Sequence, residues 1–201
     1  EGAMVGGRTL VKRDLRQMSD LLYMGRLKSS FSLSDTTEVV IGTSGLFGPN
    51  ASGLKTDTEI FGIDLYGKWQ PLNAEGGFPF ISLQTEGMLR RYEADEATVG
   101  GNLLPAQTLE DRGFYVEGLW GFARRWVAGT RMEYANGRDA KDSLRDERKR
   151  LAANLTFYPS EFSKWRLQYN RDEAEHLDNE AIHAVFLQIE FLIGAHGAHT
   201  F

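Results

Sequence analysis

Apolar and polar residues alternate one by one along long segments of this chain, and this pattern constrains the fold more than any other feature. In the last segment Val185, Leu187 and Ile189 are apolar, and Gln188 and Glu190 stand beside them. A period of two puts successive side chains on opposite faces of a β-strand, so each strand has two different surroundings. Nine segments show the pattern, and it predicts strands over residues 22–33, 38–47, 58–70, 79–92, 113–123, 126–135, 147–158, 163–171 and 182–194.

The length of these segments favours a membrane fold. Strands of soluble proteins most often have about 5–6 residues, whereas a tilted strand needs about 9–11 residues to cross a bilayer. We therefore predict an all-β fold, an antiparallel transmembrane β-barrel with nine or ten long strands in this chain. Aromatic rings near strand ends suit the two membrane interfaces, and the chain places Trp69, Trp120, Trp126, Tyr134, Phe157 and Trp165 there.

The connections between the predicted strands alternate in length. Residues 34–37, 124–125 and 159–162 form short turns and 70–78 a medium one, whereas 48–57, 93–112, 136–146 and 172–181 are long loops. Short periplasmic turns and long extracellular loops are typical of outer-membrane barrels. The alternation predicts that the last strand ends on the periplasmic side, together with Phe201.

Composition excludes some classes of protein. No run of eighteen apolar residues is present, so the sequence predicts no transmembrane helix, whereas a barrel with a polar lumen has an ordinary mean hydropathy. The net charge of −5 argues against a nucleic-acid partner. The chain has no cysteine, which fits an export route and is also common among cytosolic proteins.

The predicted organisation has two parts. Residues 1–21 form an irregular, charged N-terminal segment with room for a short helix over 10–22, and residues 22–201 form the barrel region. Nine strands is an odd number, whereas bacterial single-chain barrels have even numbers. We therefore expect this chain to be the C-terminal part of a larger barrel, or a barrel of eight or ten strands. The first residues do not resemble a signal peptide, which favours a mature chain or a piece of a longer one.

The polar faces of the strands supply the candidate functional residues. Buried charges must pair or meet water, so this set predicts a water-filled channel or a salt-bridged interior. Basic residues outnumber acidic ones slightly, which favours anion passage; a paired, non-selective network is the alternative. By parity Glu38 also belongs to the polar face. The predicted pore-lining residues are Arg26, Lys28, Asp64, Lys68, Glu86, Arg90, Glu117, Arg131, Glu133, Arg150, Lys164, Arg166, Gln188 and Glu190.

No catalytic constellation is visible in the sequence, and we expect no enzymatic activity and no cofactor. His176 and His183 flank an acidic loop and give a faint catalytic or metal signal, although charge-rich loops are usually just solvated. His196 and His199 supply two of the roughly four donors that a structural zinc site needs. On an extended strand two residues three apart point to opposite faces, so these two would converge only if the chain bends there.

Several segments resemble known membrane barrels. Residues 61–71, 167–170 and 186–191, read with the closing strand that ends at Phe201, resemble the C-terminal half of Gram-negative outer-membrane porin-like proteins. The Gly- and His-rich end resembles a group described as zinc-regulated, TonB-dependent-receptor-like barrels. The resemblance implies a barrel in outer-membrane lipid and an assembly signal at Phe201 that the barrel assembly machinery reads.

Three functions compete on this basis. The first is a porin-like channel for diffusion of small polar solutes or ions across the outer membrane. Such a channel can be a monomer or a homo-oligomer, and the sequence does not decide between them. The second is a ligand-specific receptor or transporter barrel, with a metal complex as one candidate ligand. The third is a soluble β-sandwich that binds a partner through its long loops.

Overall fold

The computed structural model describes residues 4–5, 8–9, 18–99, 101–137, 147–174 and 180–193 of the 201-residue chain. Two short strands, β1 (Met4–Val5) and β2 (Arg8–Thr9), pair with each other. A 3₁₀ helix over Met18–Asp20 precedes the first long strand. The predicted helix over 10–22 falls largely outside the described residues.

Nine long antiparallel strands make up most of the described part of the chain, as the alternation predicts. Their bounds are β3 Tyr23–Ser34, β4 Thr37–Pro49, β5 Asp57–Trp69, β6 Phe80–Ala94, β9 Gln107–Ala123, β10 Trp126–Gly137, β11 Arg148–Ser160, β12 Ser163–Ala174 and β13 Ile182–Phe191. They form one sheet in which each long strand pairs with the long strands before and after it in the chain, in the order β13-β12-β11-β10-β9-β6-β5-β4-β3.

The nine strands belong to a single sheet rather than to two sheets packed face to face, as a β-sandwich requires. Strands β3 and β13 lie at its two edges. Within the described part of the chain, the hydrophobic residues that are buried number four, and all are small or β-branched: Ala94, Val127, Ala152 and Ala174. The sheet therefore has no conventional hydrophobic core, so contacts outside the sheet must stabilise its faces.

Two strands are longer at the long-loop edge than the sequence predicts. Strand β6 continues to Ala94 and β9 begins at Gln107, so the predicted loop 93–112 is reduced to 95–106. This loop contains a small hairpin of β7 (Ala97–Val99) and β8 (Asn102–Leu104). Charged residues led the sequence to predict a loop here. In the structure they form ion pairs across the sheet instead, and Asp111 of this segment pairs with Arg90 on β6.

The two edges along the strand ends differ in their connections. The edge that we name the short-turn edge carries the tight turns 35–36, 124–125 and 161–162 and the ten-residue turn 70–79. The opposite edge, named the long-loop edge, carries the connections 50–56, 95–106, 138–147 and 175–181. Register shifts interrupt three strand pairs, β3–β4, β9–β10 and β11–β12, all beside short turns. Bulges of this kind are common at barrel rims, where they bend the strands.

The first long loop is pinned to the sheet by a polar cluster. The Asn50 side-chain amide donates to the carbonyl oxygens of Asp57 and Glu93, at 2.8 and 2.9 Å. The Ser52 hydroxyl donates to the Glu93 carbonyl at 2.8 Å, and Thr56 donates to the Asn50 side-chain oxygen at 2.8 Å. Ser52 and Thr56 are both buried, so this loop is a packed part of the long-loop edge.

No helix among the described residues is long and apolar enough to cross a membrane.

Candidate functional site

One face of the sheet is apolar and exposed from edge to edge. Strand register places the odd positions of β5 on the same face as the odd positions of β6 and β11 and the even positions of β9 and β10. Ile63 in the middle of this face is 60% exposed and Leu187 on β13 is 71% exposed. Exposed apolar patches larger than a few hundred Å² mark contact with a membrane or a partner. The face includes Leu27, Ile41, Phe61, Ile63, Leu83, Val116, Met132, Leu151, Leu155, Leu167, Val185 and Leu187.

Aromatic residues border the apolar face at both edges. At the short-turn edge Trp126 stacks on Phe157 with ring centroids 4.6 Å apart, and Trp165 follows at 6.3 Å from Phe157. All four tryptophans of the chain lie on this edge, which matches the predicted position of the rings. At the long-loop edge the rings are Phe47, Phe61, Phe114, Tyr134 and Tyr169.

The distance between the two aromatic rows fits a bilayer. Phe61 and Trp69 lie eight residues apart on β5, which corresponds to about 26 Å along an extended strand. Membrane barrels have an apolar band about 25 Å tall flanked by aromatic girdles, with strands tilted by roughly 35–45°. After correction for such a tilt the apolar band here is slightly shorter than the average.

The opposite face carries charge. All fourteen predicted pore-lining residues lie on this single face, because the register connects them strand by strand. Glu117, for example, is aligned with Gln84 on one side and with Arg131 on the other. Their role as pore lining stays a prediction, but the alternation places them together as expected.

A ladder of alternating charges crosses four strands of this face. From Glu117 on β9 it passes to Arg131 on β10 (3.5 Å), and Arg131 also contacts Glu133 (2.6 Å). Glu133 contacts Arg150 on β11 (3.6 Å), and the Arg150 Nε donates to Asp172 on β12 at 2.9 Å. Each cation is thus held between two carboxylates. We call these five residues the charge ladder.

An aromatic ring supports the centre of the ladder. The Arg131 guanidinium lies 3.8 Å from the centre of the Tyr115 ring, a distance at which the cation is attracted to the ring face. The Tyr115 hydroxyl accepts a hydrogen bond of 2.7 Å from the Gln84 amide on β6. A cavity of about 370 Å³ lies along this part of the face, lined by Glu86, Tyr115, Arg131, Arg150 and Asp172 among others.

The other predicted residues of this face are less connected. Arg26 pairs with Asp64 at 2.8 Å and Lys164 with Glu190 at 2.8 Å. Gln188 donates to Glu190 at 3.2 Å. Among the described residues, Lys28 and Glu86 have no ion-pair partner, whereas Lys68 lies over the Phe80 ring and Arg166 donates to the Thr156 hydroxyl.

Three charged residues of this face are missing from the predicted set. Asp111 and Asp172 lie just beyond the predicted ends of their strands, and Arg148 shares the parity of Arg150. Extending the alternation by two residues finds the two aspartates, whereas Arg148 already lies within the predicted strand 147–158. Among the described residues the face then carries nine basic and eight acidic side chains, so the predicted basic excess falls from two to one. They are Arg26, Lys28, Lys68, Arg90, Arg131, Arg148, Arg150, Lys164, Arg166 and Glu38, Asp64, Glu86, Asp111, Glu117, Glu133, Asp172, Glu190.

The predicted zinc ligands His196 and His199 and the predicted assembly signal Phe201 lie outside the described residues, as does His176. His183 lies in β13 and its Nδ1 is 2.6 Å from the Tyr169 hydroxyl. Within the described part of the chain, no group of three or more His, Cys, Asp or Glu could hold a metal ion. The zinc site and the ligand-specific receptor remain predictions.

Comparisons with known proteins give one sequence relative and one structural neighbour. No family model matches the chain. The chain is 28% identical over 197 residues to an uncharacterized protein of Aquifex aeolicus (strain VF5), covering 90% of this chain and 40% of that protein. It therefore spans less than half the length of this relative.

The structural neighbour is the outer membrane channel DcaP of Acinetobacter baumannii. It shares 8% sequence identity with this chain, with a TM-score of 0.46, and the match covers 83% of this chain and 61% of that one. By its own strands, the present chain is an all-β protein built on a nine-stranded antiparallel meander.

Proposed function

We propose that this chain forms part of an outer-membrane β-barrel channel through which small polar solutes and ions diffuse. The observation that supports it best is the division of one sheet into two faces. One face is apolar, exposed and bordered by aromatic rows, and the other carries seventeen charged side chains within the described strands. A lipid-facing exterior and a polar, water-filled interior require this combination.

Lipid supplies the stabilisation that the missing core does not. Removing a Leu, Ile or Phe side chain from water is worth about 1.5–3 kcal/mol. In water the exposed apolar face would lose this gain at every position and would promote aggregation. In a bilayer the same side chains lie in hydrocarbon, and the sheet becomes stable without a second layer.

The charged face supports diffusion rather than tight binding of one solute. Most of its charges are paired across strands, so they hold the strands in register and leave little net field. A channel lined in this way is expected to be wide and weakly selective, because strong selectivity depends on rings of one charge. The function needs no chemical step, and we propose none.

A channel also requires that the sheet close. Strands β3 and β13 are edge strands, and they do not pair with each other. Unpaired backbone groups are strongly unfavourable in hydrocarbon, so spanning sheets are closed. We propose that strands outside this nine-stranded sheet complete the barrel. We also propose that the short-turn edge faces the periplasm, where the assembly machinery would read Phe201.

Two measurements test the proposal. The first is migration of unheated and boiled chain on a detergent gel after refolding in lipid vesicles. A barrel migrates faster before boiling, whereas a chain that folds without detergent or lipid and stays monomeric would refute the membrane assignment. The second is conductance in a planar bilayer of the chain together with the strands that close its sheet. Discrete current steps are expected, and a folded, inserted and closed barrel without current would refute the channel.

A further inference from the structure

A double row of charges lies on the apolar side of the sheet, at its long-loop edge. Four strands repeat the same order: a basic residue next to the apolar band, and a glutamate two positions nearer the loops. The register places seven of them on the outward face, and Glu147, just before β11, contacts Tyr134 and Lys149 of that face. We call this set the charged belt: Arg91 and Glu93 on β6, Glu110 and Arg112 on β9, Glu147 and Lys149 at β11, and Arg171 and Glu173 on β12.

The basic row sits at a defined depth relative to the aromatic row. Lys149 is aligned with Tyr134, and Arg171 with Leu151. Lys149 therefore lies level with a ring that marks the membrane interface, and Arg171 lies one step nearer the apolar band. Along each of the four strands the glutamate lies two residues nearer the loops than its cation, although Glu173 is aligned with Lys149 across the strands. Lys and Arg side chains at this depth keep their stems along apolar surface and extend their charged ends to the headgroups.

An apolar groove opens directly beneath two members of the basic row. It has a volume of about 240 Å³, and it lies on the outward face between β9 and β12. Phe114, Met132 and Leu151 line it, together with the cations Lys149 and Arg171 and with Glu173, the partner of Arg171. Apolar walls below two cations match a molecule that has a hydrocarbon chain and an anionic head.

The existing ion pairs of the belt do not prevent such binding. Lys149 pairs with Glu147 and Arg171 with Glu173, yet the Lys149 and Arg171 side chains are 57% and 51% exposed. Exposed pairs contribute little to stability, so an incoming anion can replace the carboxylate without a large loss. A phosphate adds charge-assisted, bidentate hydrogen bonds to an arginine.

Simple solvation does not account for the order of the charges. Surface ion pairs that only solubilise an edge have no reason to put the cation on the inner side in four strands. A layer of phosphate headgroups supplies this reason, because its negative charge lies just outside the hydrocarbon. From this order and the groove, we propose that the charged belt binds phosphate-bearing anionic lipid in the leaflet on the long-loop side, with Lys149 and Arg171 on the phosphate. This inference rests on the proposed membrane insertion.

Native mass spectrometry of the full chain, folded in detergent, tests the inference. The probes are phosphatidylglycerol and phosphatidylcholine with the same acyl chains, each added at equal concentration. Wild-type chain is expected to retain phosphatidylglycerol preferentially. Each basic residue near an anionic lipid contributes about fivefold to binding, so Lys149→Gln with Arg171→Gln should reduce retention by about 25-fold.

Two control variants distinguish an effect of the charged belt on lipid retention from an effect of net charge. Glu147→Gln with Glu173→Gln keeps both cations and should retain the lipid at least as well as wild type. Lys55→Gln with Arg124→Gln removes two exposed cations elsewhere and should leave retention unchanged. Inorganic phosphate at the lipid concentration should not displace the lipid, because it lacks the acyl chain that fills the groove.

The failures can be told apart. Insertion is followed separately by the gel shift on boiling. If inserted wild-type chain retains the two lipids equally, the belt inference alone is overturned, and this result does not depend on whether the variants fold. Equal loss of phosphatidylglycerol retention in the acidic and the basic variants also overturns it. Displacement by inorganic phosphate overturns the lipid as the ligand. A chain that never enters lipid, even together with the strands that close its sheet, overturns both the channel and the belt.

Discussion

Arg26 on β3 and Asp64 on β5 form an ion pair of 2.8 Å across the strand that lies between them. The residue aligned with Asp64 on the intervening strand β4 is Gly42. A Cβ atom at Gly42 would lie 2.3 Å from the Asp64 Oδ2. The two charges meet two strands apart because Gly42 leaves room for the carboxylate.

Gly42→Ala should therefore uncouple Arg26 from Asp64. The added methyl group displaces only the end of a short side chain, and alanine suits a strand better than glycine, so overall stability should change little. Coupling between Arg26→Gln and Asp64→Asn, measured by urea unfolding in vesicles, should be about 0.2–1 kcal/mol in wild type, as for other exposed pairs. The coupling should vanish when the same cycle is measured in the Gly42→Ala background. An unchanged coupling in that background would contradict the role of the glycine.

Gly121 has a similar role with an aromatic neighbour. An added Cβ would lie 2.3 Å from a Phe80 ring carbon and 2.9 Å from Phe78. Because two rings would have to move, Gly121→Ala should lower the free energy of unfolding by about 1–3 kcal/mol. Gly118→Ala on the same strand is the matched control, since no atom lies within 4 Å of its added Cβ. Equal effects of the two substitutions would show that the ring contact is unimportant.

The strands were predictable because their physical cause is local. A face that meets hydrocarbon and a face that meets water impose a period of two on the sequence itself. The predicted strand ends are wrong near the long loops, where both faces of a strand become polar. Glu110 and Asp111 are both charged, so alternation disappears at the start of β9 although the strand continues.

The pairing of charges was not predictable, because it depends on register between distant segments. Arg131 reaches Glu117 on the preceding strand and, through Glu133, Arg150 on the next one. A shift of one residue in either strand would turn all these side chains to the other face. The alternation establishes which residues share a face, but not which of them touch.

Charge on the apolar face should be far more damaging than charge on the polar face. Leu167 and Gln168 are neighbours on β12 and point to opposite faces. In a bilayer Leu167→Arg should destabilise the sheet by about 2–4 kcal/mol, the value for a cation near the membrane midplane. Gln168→Arg should have a much smaller effect. Urea unfolding in vesicles measures both, and similar effects would mean that Leu167 does not face lipid.

Glu147 should remain charged at unusually low pH. Hydrogen bonds from Lys149 and from the Tyr134 hydroxyl hold the pKa of this carboxyl group below its ordinary value. A lowered folded-state pKa stabilises the fold at pH values above the unfolded pKa, and this contribution is lost as pH falls through the folded pKa. Carbon-13 NMR of labelled glutamate should show a pKa that rises toward the ordinary value in Lys149→Met. The same pKa in both proteins would exclude the Lys149 bond as the cause.

The charge ladder should control ion selectivity in the proposed channel. With nine basic and eight acidic residues on the charged face, the reversal potential of the wild-type barrel in a salt gradient should be close to zero. Glu117→Gln with Glu133→Gln removes three carboxylate contacts of Arg131 and Arg150 and should shift the reversal potential toward anion selectivity. Arg131→Gln with Arg150→Gln should shift it toward cations. Both double variants should give wild-type reversal potentials if the ladder lies outside the conduction path.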